Sequence, residues 1–192
     1  MGYTALLIDF QAHGESPGEH ITFDALESAN AHAALDYLRQ QHCRQVIAVG
    51  QSMGGAASVL GPAPLAVDAQ VLESVYPSIE DAVADRLQMR LGLPGRWLAP
   101  LLYWQLPLRL GVSPSALRPI EAIARVRCPL LVMAGSTDQH TTMAEAQRPY
   151  AAAPQPKSLW VVEGAAHQDL YHYAPDDYRA PVLALLASLP PP

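Results

Sequence analysis

Gln45-Val46-Ile47-Ala48-Val49-Gly50-Gln51-Ser52-Met53-Gly54-Gly55-Ala56-Ala57-Ser58-Val59-Leu60 is the stretch that decides how this chain is read. An apolar run, a serine between glycines and a run of small residues follow one another, the pattern of a strand, a sharp turn and a helix. The centre reads G-x-S-x-G. A serine on a strained strand-to-helix turn holds its hydroxyl clear of the backbone, and side chains at 50 and 54 are expected to collide there. The helix beyond offers backbone N–H groups to a developing negative charge. Ser52 is therefore the candidate nucleophile.

Four more short apolar runs accompany this one: Tyr3–Phe10, Ala69–Val75, Pro129–Ala134 and Ser158–Val162. Their nearly continuous apolar character predicts strands buried on both faces of a parallel sheet. Helical periodicity lies between and after them, in Ile21–Gln41, Thr141–Ala153 and Asp176–Leu189. The first of these helices should start at a Thr22 or Asp24 cap and carry Leu26, Ala29, Ala33 and Tyr37 on one stripe. The alternation predicts an α/β fold, a parallel sheet of about five strands flanked by helices in one domain over 1–192. Residues 76–118 are too long for a plain crossover and read as a helical cap insertion.

Loops at the carboxyl ends of parallel strands are where such sheets assemble sites. A serine hydroxyl needs a base, and His167 follows Gly164-Ala165-Ala166 just past the last strand. The group orienting that imidazole should be Asp138, four residues beyond the fourth strand, with Asp169 its competitor by proximity. A helix N-cap is the alternative role for Asp138. The order Ser52, Asp138, His167 suits two-step acyl transfer.

Composition narrows the field. Half of the 192 residues are hydrophobic, enough for a sizeable core, and the net charge of −6 argues against a nucleic-acid partner. The run from Trp97 to Val112 is too short and interrupted to span a bilayer. No secretory signal is visible, so the default expectation is a soluble, cytoplasmic protein. Cys43 and Cys128 read as free thiols, with a disulfide between them left open. The scattered histidines suggest no metal, and nothing in the candidate triad requires a cofactor.

Asp9-Phe10-Gln11-Ala12-His13-Gly14-Glu15-Ser16 resembles the D-x-x-G-x-G-x-S loop of the α/β-hydrolase superfamily, with Ala12 where glycine is usual. With the serine turn, Gly135–Asp138 and Gly164–His167 in register, the whole chain resembles bacterial esterase-like members related to prolyl-oligopeptidase-type hydrolases. The resemblance implies a serine esterase acting on a small-molecule ester, with Met53 N–H as one oxyanion donor. It also implies that strands before Tyr3–Phe10 are absent. A simple repair pairs Tyr3–Phe10 directly with Gln45–Gly50, and the Gln11 backbone then becomes the candidate second donor. Trp104 and Leu101 are candidates for substrate binding, although an apolar stripe at helical spacing more often packs as core. The alternatives are a truncated, weakly active or inactive relative acting as a binding protein, and a peptidase or thioesterase on the same fold.

Overall fold

The computed structural model describes residues 3–191. Its centre is a parallel sheet of four strands, β1 (Ile47–Gln51), β2 (Ala69–Glu73), β3 (Leu130–Gly135) and β4 (Lys157–Val162), adjacent in chain order. Gly50 stands opposite Leu72, Glu73 opposite Met133 and Gly135 opposite Val162, so the strands end nearly level. β2 and β3 are buried along their whole lengths, which is why they read as unbroken apolar runs.

Side-chain alternation divides the core. Leu72, Leu130 and Val132 meet α1 (Ala25–Gln40), α2 (Met53–Val59) and α6 (Pro119–Ala122) on one face. Val71, Leu131 and Met133 meet Leu170 and Leu185 of α8 (Leu170–Tyr173) and α9 (Pro175–Ala187) on the other. α7 (Met143–Ala152) carries the chain from β3 to β4. Residues 76–118 form α3 (Ile79–Leu91), α4 (Leu93–Tyr103), α5 (Leu106–Leu110) and a 3-10 turn, Pro114–Ala116. No helix among the described residues is long and apolar enough to cross a membrane. Cys43 and Cys128 are free.

Two expectations change. Tyr3–Phe10 forms no ladder, so the sheet has four strands and β1 is an edge. Phe10 is anchored on the core, and Gln11 N–H donates to Asn30 Oδ1 of α1 at 2.9 Å. These ties hold the segment away from β1 across a cavity of about 310 Å³, lined by Leu6, Leu7, Ile8 and Phe10 on one side and Val46–Gln51 on the other. α1 has the expected period but a different phase. Ser28, Ala31 and Leu35 face the core, whereas Leu26 and Tyr37 are exposed. The cause is Glu27, whose buried carboxylate accepts from the backbone of Thr22 (2.9 Å) and Asp24 (2.8 Å) and turns the helix start inward.

Candidate active site

Ser52 sits between β1 and α2 with φ 49° and ψ −115°, a region that costs a non-glycine residue strain. Its N–H donates to the carbonyl of Glu73 at 2.7 Å, which extends the β1–β2 ladder by one residue and pins the turn. Close packing explains the glycines, though not as expected. A Cβ at Gly50 would lie 2.5 Å from the Gly54 carbonyl carbon, and one at Gly55 would lie 2.4 Å from Val75 Cγ2. At Gly54 nothing comes within 4 Å. Positions 50 and 55, rather than 50 and 54, are the ones that must stay small.

The loops carrying Asp138 and His167 are bound to each other along their backbones. Ser136 N–H donates to Val162 O and Thr137 N–H to Ala165 O, both at 3.0 Å. Gly164 N–H reaches Ser136 Oγ at 2.8 Å. A Cβ at Gly135 would stand 2.3 Å from Ala165 O, so only glycine permits this approach.

On that frame Asp138 Oδ2 lies 2.8 Å from His167 Nδ1, and the carboxylate side chain is fully buried. Asp138 Oδ1 accepts from His140 N–H (2.8 Å) and Thr141 N–H (3.0 Å). The N-cap of α7 is Thr142, so the carboxylate serves its own turn and the imidazole together. Burial alone would raise the Asp138 pKa. The His167 bond and the backbone donors outweigh it and hold the carboxyl below its usual value. Asp169 is no competitor, since it caps α8 and pairs with His172 at 2.6 Å. Glu73, another acid at this rim, receives the Tyr178 hydroxyl at 2.5 Å, and burial raises its pKa.

The serine turn is tied to the His167 loop by the residue before Ser52. Gln51 Nε2 donates to Gln168 O at 2.7 Å, strapping the residue before the serine to the residue after the histidine. Among the described residues, neither the Ser52 hydroxyl nor His167 Nε2 makes a hydrogen bond. The strap was not legible in the sequence, and neither was His140. Its ring lies 4.9 Å from that of His167 between centroids, and its buried Nδ1 has no partner among the described residues. Burial, then the charges of His167 and Arg86, lower its pKa and favour the neutral ring.

Other candidates fall outside the site. Gln11 N–H is committed to Asn30, Ala12 N–H to Pro17 O and His13 N–H to Phe10 O, so none of the three is a free donor. Leu101 on α4 and Trp104 at its C-cap are exposed.

Comparison with known proteins completes the description. Residues 2–180 match the alpha/beta hydrolase family. A Bacillus subtilis protein, YqkD, is 23% identical across 98% of this chain and 64% of its own length. A Mycobacterium tuberculosis protein is 31% identical across 88% of this chain and 54% of its own. The chain thus spans little more than half to two thirds of these relatives. Among solved structures, a Pyrococcus furiosus esterase superposes with TM-score 0.74 at 22% identity, over 94% of this chain and 69% of that one. A monoacylglycerol lipase of Paleococcus ferrophilus gives TM-score 0.60 at 20% identity, over 93% and 81% of the two chains.

Proposed function

The chain belongs to the alpha/beta hydrolase family, and from that premise we propose that it is a serine hydrolase cleaving carboxylic esters through Ser52, His167 and Asp138. The observation that carries this reading is the 2.8 Å pair between the buried Asp138 carboxylate and His167 Nδ1, on a loop strapped to the serine turn. With its Nδ1–H given to Asp138, His167 keeps the Nε2 lone pair free for the Ser52 proton. The Ser52 oxygen attacks the ester carbonyl, and the Met53 N–H receives the oxyanion. His167 returns the proton to the leaving alcohol, then activates the water that releases the acid. The Ser52–His167 hydrogen bond forms as substrate enters, as such bonds often do. One oxyanion donor is worth about 10²–10³ in rate, so an enzyme relying on Met53 alone should turn over slowly.

A fluorophosphonate probe on wild type and Ser52→Ala tests the reading, alongside p-nitrophenyl esters of increasing chain length. Wild type alone should label and hydrolyse. A wild type that does neither would leave the second reading, a binding protein that keeps the cleft without turnover. The occupied N–H groups of residues 11–13 favour that alternative. Matched thioester and anilide substrates separate esterase from thioesterase and peptidase.

A further inference from the structure

We propose that the α4–α5 arm docks on an anionic lipid surface. α4 runs from Leu93 to Tyr103 with Trp104 as its C-cap in helical conformation, and α5 follows after the two-residue turn Trp104-Gln105. Its buried side is made of small residues and one leucine: Gly95, Ala99 and Leu106. A Cβ at Gly95 would lie 2.3 Å from Leu87 O, so α4 rests with its backbone against α3. The opposite side is bare. Leu93 is 72% exposed, Trp97 83%, Leu101 59%, Trp104 66% and Leu108 89%.

At 3.6 residues per turn Leu93, Trp97, Leu101 and Trp104 of α4 and its C-cap fall within an arc of about 80°, and Leu108 on α5 is exposed beside them in sequence. They face away from the molecule as one ridge. A cluster this apolar normally marks an interaction site. Tryptophan ringed by leucine is the composition of a helix lying at a membrane–water boundary.

Charge selects the occupant. Residues 89–113 contain Arg90, Arg96 and Arg109 and no acidic residue, in a chain of net charge −6. Arg96 lies on α4 and Arg109 on α5. Arg96 makes a 3.6 Å pair with Asp85 on α3, while Arg90 and Arg109 are exposed. A second copy docking arm to arm would add like charge to like, because residues 89–113 carry no carboxylate of their own. Lipid phosphates supply the missing negative charge. The surface is independent of the Ser52 chemistry.

Cosedimentation of the whole chain with vesicles tests this, using phosphatidylcholine alone and phosphatidylcholine containing a quarter phosphatidylglycerol. Binding is expected only to the anionic vesicles, with a blue shift of tryptophan emission. Rising salt should weaken it, a result that needs no variant. Arg90→Gln and Arg109→Gln should each lower affinity about fivefold, and Trp97→Ser with Leu93→Ser by about tenfold or more, with circular dichroism unchanged. The proposal is overturned by absence of binding, or by equal binding to neutral vesicles. It is also overturned if sedimentation velocity reveals a dimer that Trp97→Ser dissolves, because the ridge would then belong to a second copy.

Discussion

The two edges of this sheet are built differently. At the β4 edge the Asp138 and His167 loops share backbone hydrogen bonds, and Gly135 lets them touch. At the β1 edge, Tyr3–Phe10 stands off across a cavity, and the strand leading to Ser52 has a neighbour on one side alone. The orientation of His167 is therefore fixed by the fold, while the serine turn rests on a sheet edge with spare room beside it. Asp138→Asn is the most severe test of that contrast. The amide can still serve the turn, but it offers its N–H₂ or its oxygen to Nδ1 and no longer stabilises an imidazolium. A fall in kcat of about 10⁴, or roughly 5 kcal/mol, is expected with the fold intact. A loss within tenfold on p-nitrophenyl ester would mean that the rigid edge does not orient the base.

Gly135→Ala acts on the same edge through packing. Its Cβ would sit 2.3 Å from a backbone oxygen, which cannot rotate away. We expect about 3 kcal/mol of destabilisation and a Tm lower by about 6–12 °C. An unchanged melting curve would show that the two loops separate freely.

The sequence carried the paired strands and the three candidate positions at the strand ends because each signal is local. β2 and β3 are apolar throughout, and Ser52, Asp138 and His167 each follow a strand end. What it carried less well depended on partners. Tyr3–Phe10 has the composition of a strand, but a ladder needs a neighbour at strand distance, and the ties of Phe10 and Gln11 prevent that. The period of α1 was visible and its phase was not, since the Glu27 cap sets the phase. Trp104 and Leu101 carry the same letters whether they line a pocket, pack as core or face outward. His140 and the Gln51 strap act through contacts with residues distant in space or unmarked by any motif.

A buried acid on the β1 side sharpens the contrast. Asp24, fully buried at the start of α1, receives the Tyr76 hydroxyl. Burial pushes its pKa up to about 8, against the pull of that hydroxyl and with help from Glu27. The unfolded chain loses this proton near pH 4. The native contribution is thus complete below about pH 4 and lost as pH rises through about 8. Asp24→Asn should flatten the dependence, gaining about 2 kcal/mol, or 4–8 °C in Tm, over wild type by pH 9. Parallel Tm profiles for the two proteins would mean that Asp24 is solvated and this side looser than described.

The smallest effect is the most discriminating, because it asks whether the spare room exists in solution. Gly54 lies in the first turn of α2 and borders the cavity, and a Cβ there meets nothing within 4 Å. The space that keeps Tyr3–Phe10 from β1 is the reason Gly54 is free where Gly50, four residues before, is not. Gly54→Ala should therefore bring only the benefit of a stiffer unfolded chain and a better helix former. That is about 0.5–1 kcal/mol, or 1–4 °C in Tm. A drop in Tm would place atoms against position 54, closing the cavity over the serine turn and making the β1 edge as tightly packed as its opposite.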